Sequence, residues 1–483
     1  MKSFSNYLIK KLLVCISFCL CCELASAVNV KDFEAKGDGK ADDTKAIIAA
    51  IKACTDGLVE FPRGNYRIIR TIEIDLSRYG TLGLSGRGGS AVITMEGEGP
   101  AFRFIGSHDK GPALPSSIQQ ITWEKERMPL LDALEIVGNH AKSDGIELKN
   151  TLMPTLRALL IRNVRNGIYF TSRNRNVLID ACHIYNASGI GIFLDQVNIH
   201  QFIISGSHIS YCKKGGIKVL NSEIRNFQIT GSDIEYNCDP SESSSADILV
   251  DCSKGGSVRE GTISGNTIQA IPSPGGANIR FLGLEGNRDK IGLWSITGNH
   301  ISNQEVNIHL ENTRGINITG NTFIRGYLHH LLANNALNLM INGNIFDHNE
   351  DYFPTQPEAK GGLFLNQGEN IVLSDNIIDG SGNGNEEDGG AIIVKNSSEV
   401  SLSTCQIKNP KFNGIQFDKN INSQIINCII TEGNKNNSML RGLYLKGDCA
   451  GTLVKDNSIA PGKLAAISNH ARNIRVIDNV SID

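Results

Sequence analysis

The sequence is poor in aromatic residues and carries no excess of positive charge. Aromatic side chains make up 6% of the 483 residues, and the formal net charge is -3. A chain with this balance lacks the basic surface that attracts phosphates, so nucleic acid is not an expected partner. Long apolar runs are also missing after the first thirty residues, so no transmembrane span is predicted.

Cysteines in a metal-binding spacing are missing too. No Cys-x-x-Cys pair follows the first 27 residues, which argues against zinc, and we predict no metal ligands in the sequence. Cys182, Cys405 and Cys428 occupy equivalent places in a repeated phrase described below. Because disulfide geometry is demanding, we expect Cys405 and Cys428 to stack as buried thiols without forming a bridge.

The first 27 residues have the pattern of a cleavable leader. Lys10 and Lys11 precede an apolar run from Leu12 to Leu20, and Ala25-Ser26-Ala27 offers a small-x-small cleavage site. We predict a signal peptide over residues 1–27 and a secreted or periplasmic protein. Cleavage would remove three Lys and one Glu, which changes the formal charge from -3 to -5.

A short phrase of the type Gly-Ile-x-Leu returns from about residue 140 to the end of the chain, at intervals of about 22 to 33 residues. Examples begin at Gly145, Gly167, Gly216, Gly414 and Gly442. It alternates with a phrase of the type Ile-x-Gly-Asn-x-Ile. Repeats of this length, each unable to bury its own apolar face, predict a parallel β-helix of roughly a dozen coils.

The alternating phrase places one asparagine per repeat at the same point. The residues concerned are Asn266, Asn299, Asn321, Asn344 and Asn376. Stacked amides at one corner of successive coils can satisfy each other, so we predict a structural asparagine row there.

Residues 28–70 differ from the repeats and predict an N-terminal cap together with the first coil. A turn from Gly37 leads to Asp43 and Thr44, either of which can cap a helix over Lys45 to about Ala53. A solenoid needs such a cap, because the open edge of its first coil would otherwise pair with other chains. We therefore expect one all-β domain over residues 28–483, a parallel β-helix with a short N-terminal capping helix.

This opening resembles that of the pectate lyase superfamily. The likeness rests on Val30-Lys31-Asp32-Phe33, on Gly37-Asp38-Gly39 with Asp42-Asp43-Thr44, and on Phe61-Pro62-x-Gly64-x-Tyr66. The superfamily groups rhamnogalacturonase-like and epimerase-like β-helix proteins with polygalacturonases. The resemblance implies a right-handed helix, secretion, and a polysaccharide bound along the outer face. Parallel crossovers are themselves right-handed as a rule.

The polygalacturonase catalytic set is not carried over. That set includes a Gly-His-Gly and an Arg-Ile-Lys, and neither string occurs in this chain. The candidate site must therefore come from the residues that alternation directs outward from the Gly-Ile-x-Leu strands.

The middle coils carry a mixture of carboxylate, imidazole and cationic side chains at the outward positions and their flanks. Asp247, Asp251, His309 and Glu311 are the catalytic candidates, and Lys218, Arg280, His330 and Asn366 are the substrate-binding candidates. Most lie on consecutive coils and would span about 20 Å at about 4.8 Å per coil. Insertions such as Pro272 to Gly276 precede these strands and would form groove walls.

Two reactions fit these residues. Hydrolysis needs two carboxylates, and Asp247 or Asp251 with Glu311 would lie on the order of 10 Å apart between backbones. β-Elimination needs a base and a cation that neutralises a uronate carboxylate, roles open to His309, Arg280 and Lys218. Arg280 would hold the anionic group of the substrate, and Glu311 or Asp247 would have a pKa raised by a neighbouring carboxylate.

We therefore predict a secreted polysaccharide lyase or glycoside hydrolase that acts as a monomer on an acidic polysaccharide. No cofactor is required by the sequence, although a lyase can recruit Ca²⁺ to groove carboxylates. The alternative is a non-catalytic β-helix that binds glycans or serves as a surface scaffold. On that interpretation the charged residues form a solvated ladder of ion pairs, which contributes little energy.

Overall fold

The computed structural model describes residues 27–55, 57–111, 114–241, 245–348, 359–433 and 438–482. The predicted leader lies outside these ranges, except for Ala27. The described chain winds as one right-handed parallel β-helix, in which strands of successive coils pair in parallel and stack in three columns. The predicted fold class is confirmed.

Column A contains the Gly-Ile-x-Leu strands and forms the outer face of interest. Its strands are Ile72–Asp75, Gly99–Ile105, Ser143–Lys149, Ile168–Thr171, Ile192–Asp195, Ile217–Leu220, Ala246–Asp251, Ala277–Leu282, His300–Glu311, Thr322–Asn334, Leu363–Asn366, Ile392–Lys395, Asn413–Asp418, Arg441–Lys455 and Ala465–Ile477. The long strands among them also turn a corner and contribute to a neighbouring column. Stacking in column A therefore begins at Ile72, well before residue 140.

Columns B and C complete each coil. Column B has Val28–Asn29, Leu58–Glu60, Gly83–Ser85, Leu130–Asp132, Thr155–Arg157, Arg173–Asp180, Asn198–Ser205, Glu223–Thr230, Ser257–Ser264, Ile291–Thr297, Arg314–Thr319, Leu337–Asn342, Glu369–Ser374, Ser398–Ser403 and Gln424–Ile426. Column C has Asp38–Asp42, Gly64–Ile68, Ala91–Met95, Leu134–Gly138, Leu160–Arg162, His183–Tyr185, His208–Ser210, Asp233–Glu235, Thr267–Gln269, Ile345–Asp347, Ile377–Asp379, Gln406–Lys408, Ile429–Thr431, Ser458–Ile459 and Val480–Ser481.

The core is the space enclosed by the three columns, and alternation fills it. In column A the residues on either side of the outward position, such as Ile168 and Phe170, are fully buried. Aromatic rings stack from coil to coil inside, and the Phe202 and Phe227 centroids lie 5.2 Å apart. Trp294 fits because its coil neighbour is Gly261, where an added Cβ would lie 2.2 Å from the indole.

The capping helix spans Thr44–Ala53 and buries Ile47 and Ile51 against the first coil. Its first amide is not capped as predicted, because the Thr44 N–H donates to Asp42 Oδ1 at 3.0 Å. The Asp43 carboxylate instead accepts from the amides of Lys36 and Gly37. The other helical segments are Val30–Phe33, Leu76–Tyr79, Pro115–Ser117, Gln120–Lys125 and Arg288–Lys290. No helix of the described ranges is long and apolar enough to cross a membrane.

The predicted asparagine row is confirmed and forms a buried corner between columns B and C, which we call the corner row. Asn321 shows the pattern: its Nδ2 donates to Asn344 Oδ1 at 3.0 Å, and its Oδ1 accepts from the backbone N–H of Asn299 at 3.0 Å. Cys405 and Cys428 continue the same row as free, buried thiols, as predicted. The positive φ at this corner belongs to the preceding residue, such as Gly320 at 65°.

Candidate functional site

The outward side chains of column A form one line along the solenoid. Strand register places Phe193, Lys218, Leu249, Arg280, His309, Leu332 and Phe364 at equivalent positions on consecutive coils. A second line, two residues further along each strand, contains Asp251, Leu282, Glu311, Asn334 and Asn366. Both lines are outward because the residues between them face the core.

Arg280, His309 and Glu311 are in contact and form the centre of the candidate site, which we call the central cluster. The Arg280 Nε donates to His309 Nδ1 at 3.1 Å, and a terminal nitrogen of Arg280 donates to the Gly275 carbonyl. His309 Nε2 lies 3.7 Å from Glu311 Oε2, which also accepts from Asn334 Nδ2 at 3.1 Å. The carbonyl of Gly275 comes from the predicted Pro-rich insertion, so that insertion holds the guanidinium in place.

The hydrogen bond from Arg280 fixes the protonation pattern of His309. A guanidinium N–H can only donate, so His309 Nδ1 accepts and the single proton of the neutral ring lies on Nε2. His309 therefore presents a donor toward Glu311 and has no lone pair available as a base. Arg280 is only 6% exposed, and this burial lowers the pKa of its guanidinium. The group still stays charged at neutral pH. Glu311 contributes the carboxylate of this cluster, and 34% of its side chain is exposed.

Asp247 does not face the groove, so its assignment as an outward catalytic residue is wrong. It is fully buried, and its Oδ1 accepts from the N–H and Nδ2 of Asn237 while its Oδ2 accepts from Asn278 Nδ2 at 3.1 Å. Burial raises the pKa of Asp247 to about 8, and hydrogen bonds to the carboxylate oppose that rise. A neighbouring carboxylate, the predicted cause, is present as Glu235 but raises this pKa less than burial does.

His330 is also buried, at 2% exposure, which contradicts its prediction as an outward substrate-binding residue. Its Nδ1 lies 2.8 Å from Asn307 Oδ1, and its ring packs beside Phe323 and Phe346. Burial lowers the pKa of His330 to about 3, so the imidazole is neutral at physiological pH. A side chain in this position cannot contact a polymer lying on the outer face.

Asp251 lies on the outward line of Glu311 but not beside it. Leu282 separates them, so the two carboxylates lie two coils apart, about 10 Å between backbones. The Asp251 Oδ1 accepts from the N–H of Ser253 at 2.9 Å and from its hydroxyl at 2.6 Å, a turn within one loop. The spacing predicted for Asp251 and Glu311 is therefore found, but the Asp251 carboxylate is engaged by Ser253.

Lys218 and Asn366 lie on the outer face beyond the central cluster. Lys218 stacks between the apolar side chains of Phe193 and Leu249. Asn366 follows Asn334 along the line of Glu311, and its Oδ1 accepts from Asn396 Nδ2 at 3.0 Å. Both residues are half-buried, and their roles in substrate binding stay predictions.

A buried polar row beneath the cluster was missed by the sequence analysis, and we call it the central row. Asn278 Nδ2 donates to Asp247, Asn307 Nδ2 donates to Asn278 Oδ1 at 2.9 Å, and His330 Nδ1 meets Asn307 Oδ1. These four residues occupy the Gly position of the repeated phrase. In regular coils that position has no room, since a Cβ on Gly145 would lie 2.3 Å from the carbonyl of Gly167. The signal in the sequence for this row was the replacement of the repeat's glycine by Asp, Asn, Asn and His on four consecutive coils.

The two ends of the outer face are occupied by ion pairs. At one end Arg103 donates to Glu147 at 2.6 Å and to Glu73 at 2.7 Å. At the other, Asp388 from the insertion at 380–390 contacts Lys395 and accepts from Gln416 Nε2 at 2.6 Å. Burial alone would raise the pKa of Asp388, but the contacts with Lys395 and Gln416 outweigh burial and lower it. The middle coils therefore differ from both ends, because their charged groups form an Arg–His–Glu arrangement and not simple ion pairs.

No metal-binding arrangement is evident over the described ranges, where no group of three or more His, Cys, Asp or Glu side chains is placed to hold an ion. Glu311 and Asp251 lie too far apart to share one cation, because Ca²⁺ takes oxygen ligands at about 2.3–2.6 Å. The suggestion that groove carboxylates recruit Ca²⁺ stays a prediction.

Comparison with protein families gives two matches. The family model described as rhamnogalacturonase A/epimerase, pectate lyase-like, matches residues 27–100. The model described as right-handed beta helix region matches residues 134–268 and 241–387, which together exceed half of the chain. The protein named alginate lyase 7 from Azotobacter vinelandii is 60% identical over 43 residues, 8% of this chain and 5% of that protein.

Several solved structures align along most of the chain at low identity. A mutant tailspike protein of E. coli bacteriophage HK620, in complex with a pentasaccharide, is 13% identical over 94% of this chain and 80% of its own, with a TM-score of 0.49. The A-module of the mannuronan C-5 epimerase AlgE4 from Azotobacter vinelandii is 14% identical over 94% and 100%, with a TM-score of 0.38. PfbA, a surface adhesin of Streptococcus pneumoniae, is 16% identical over 92% and 95%, with a TM-score of 0.37.

Proposed function

This chain belongs to the right-handed β-helix family, and we propose that it is a secreted enzyme that removes a proton next to the carboxylate of a uronic acid in a polysaccharide. The consequence of that step is β-elimination or epimerisation. The observation that supports it is the central cluster, which places one base beside a fixed cation and a fixed imidazole donor. The pectate lyase-like opening and the leader pattern agree with this proposal.

The chemistry assigned to each residue follows from its protons. Glu311 takes the proton from the carbon next to the substrate carboxylate, and the charge that develops on that carboxylate lies near Arg280 and the Nε2–H of His309. In elimination, the C–O bond to the departing sugar breaks as the C=C bond forms, and solvent water supplies the proton that the departing oxygen takes up. In epimerisation, solvent water on the opposite face returns a proton to the same carbon, and Glu311 releases its own proton to solvent.

Hydrolysis is less well supported. It needs an acid and a second carboxylate, with carboxyl groups about 5–10 Å apart. The candidate partners of Glu311 are poorly placed, because Asp247 is buried and the Asp251 carboxylate, at the far end of that range, already accepts two hydrogen bonds from Ser253. Replacing Asp251 therefore distinguishes hydrolysis, which would need a second carboxylate, from proton removal by Glu311, which would not.

The test compares the wild type with Glu311→Gln and Asp251→Asn on polymers of mannuronate, guluronate and galacturonate. Ultraviolet absorbance of unsaturated uronates, NMR of the sugar configuration and new reducing ends distinguish elimination, epimerisation and hydrolysis. We expect Glu311→Gln to lose about two decades of activity or more, as for removal of a general base, and Asp251→Asn to keep most of it. An equal loss in both variants, with saturated reducing ends, would favour hydrolysis.

Non-catalytic glycan binding is the second candidate, and one observation favours it. The Tyr169 and Phe193 rings stack on the outer face at 5.2 Å, with 19° between their planes, and offer an apolar surface to a sugar ring. If the wild type binds the polymers but alters none of them, this candidate replaces the enzyme.

A further inference from the structure

A stack of three tyrosines lies outside the central cluster, at the corner that leads from column C to the next strand of column A. The Tyr211 and Tyr236 ring centroids are 5.5 Å apart with 18° between the planes, and Tyr185 continues the stack 6.5 Å from Tyr211. Tyr211 is 49% exposed, so the stack reaches the surface.

Two of these tyrosines adopt a backbone conformation that bulky residues avoid. Tyr211 has φ 59° and Tyr236 has φ 53°, in the left-handed region. The same corner is occupied by Asn163 and Asn186 on the two preceding coils, with φ 57° and 55°. Asparagine adopts this conformation at low cost, whereas for an aromatic side chain it is an outlier, and such outliers concentrate at binding sites. The fold alone would be served by asparagine.

A cavity of about 370 Å³ opens at the stack. Its lining includes Tyr211, Tyr236, Lys213, Asp239 and Ile271. The volume lies at the small end of the range of ligand pockets, about 300–1,000 Å³. The lining combines aromatic rings with an ammonium and a carboxylate, and the Asp239 carboxylate accepts from the N–H and hydroxyl of Ser241. Aromatic rings bordered by a few polar groups suit a sugar, which has apolar ring faces and a polar rim.

We propose that this cavity is a second sugar-binding site, which takes one pyranose unit of a polysaccharide against the tyrosine stack. The ammonium groups of Lys213 and Lys214 both act on Asp239, which leaves a net positive charge beside the cavity that favours a uronate over a neutral sugar. The site holds the polymer at a corner of the coil and requires no reaction there. It stands whether or not the outer face is catalytic.

The test measures binding of a hexauronate and of cellohexaose by calorimetry, in a Glu311→Gln background so that the ligand is not consumed. The double variant Tyr211→Asn/Tyr236→Asn installs the residue that neighbouring coils carry. We expect affinity for the hexauronate to fall at least tenfold while the thermal midpoint is unchanged or higher. Tyr79→Ser, which removes a half-buried tyrosine of the helix Leu76–Tyr79, is the control and should bind as the parent does.

A second variant tests the role of charge. Lys213→Gln should weaken binding of the hexauronate severalfold and leave binding of cellohexaose unchanged. The proposal is wrong if neither sugar binds the parent protein, or if the double tyrosine variant and Lys213→Gln both bind as the parent does. It is equally wrong if the double variant lowers the thermal midpoint by several degrees, because the stack would then serve the fold.

Discussion

The corner row and the central row are both buried ladders of polar side chains, yet they differ in composition. From Asn266 to Asn376 the corner row repeats the same amide, and each asparagine up to Asn344 bonds to the next coil in the same way. In the central row each coil has a different residue, from Asp247 through Asn278 and Asn307 to His330. Repetition indicates a purely architectural role. A row of unlike residues that ends in two titratable groups instead indicates that these particular coils need specific side chains.

The position of the central row shows what that requirement is. Asn278 and Asn307 each lie two residues before a member of the central cluster, Arg280 and His309, in the same strand. Both carboxyl oxygens of Asp247 accept hydrogen bonds from amides around it, so the donors of the row point toward it. The Nδ1–H of His330 is set in the same direction through Asn307. The central row thus supports the strands that display the cluster.

The largest expected effect on stability comes from breaking the corner row. In Asn321→Ala, Asn299 loses the acceptor of its backbone N–H and of its side-chain amide, and the Ile296 carbonyl loses a donor. Each buried group left unpaired costs about 1–3 kcal/mol, so we expect a loss of about 4 kcal/mol in the free energy of unfolding. Urea unfolding measures it. We expect the activity per folded molecule to stay unchanged. A loss of activity would show that the corner row supports the site as the central row does.

The central row should respond differently to the same substitution. Asn307→Ala leaves Asn278 Oδ1 and His330 Nδ1 unpaired, with an expected loss of about 3 kcal/mol in the free energy of unfolding. Because His309 follows in the same strand, activity should also fall, by about tenfold or more, as small displacements at a reacting centre do. Urea unfolding and turnover of the folded fraction separate the two effects. Full activity in the folded fraction would show that the row is architectural.

Much of the fold and part of the site could be predicted from the sequence. The repeat length and the asparagine spacing identified the coils and the corner row, because one period governs both. Alternation also placed Arg280, His309 and Glu311 outward, since the residue before each of them, such as Ile308 or Leu310, is buried and apolar. It failed for Asp247 and His330, which precede the strand's first inward residue at the Gly position, where side chains lie inside the coil.

The tyrosine stack could not be found from the same pattern. Tyr185 pairs in register with Ser210, so Tyr211 is offset by one residue from a strict repeat. The rings meet because Tyr211 and Tyr236 follow their strands in the left-handed conformation, and that backbone conformation is not visible in a pattern of residue types. The signal in the sequence was only that tyrosine replaces asparagine at one corner.

The smallest of the expected effects on stability is a pH dependence that the central row has and the corner row lacks. The pKa of Asp247 is raised to about 8, so its contribution is fully present below the unfolded pKa of about 4 and is lost as pH rises through about 8. The pKa of His330 is lowered to about 3, so its contribution is present above about 6.5 and is lost on acidification. The two slopes oppose each other between about pH 4 and 6.5.

Above pH 6.5 only the slope from Asp247 remains, which amounts to about 2 kcal/mol of lost stability by pH 8. We expect the thermal midpoint of the wild type to fall over this interval and that of Asp247→Asn to fall less. Asn321→Ala is the control and should keep the wild-type slope. Parallel curves for the wild type and Asp247→Asn would show that Asp247 is ionised in the folded protein throughout.

The central claim is that Glu311 removes the proton next to a uronate carboxylate, and the fate of that hydrogen tests it most directly. A uronate oligosaccharide is incubated with the wild type in D₂O, and the products are examined by NMR and mass spectrometry. The account predicts that the hydrogen is lost, either with formation of a double bond or by replacement with deuterium, and that Glu311→Gln forms about a hundredth of the product or less. Cleaved products that retain this hydrogen, or undiminished turnover by Glu311→Gln, would contradict it.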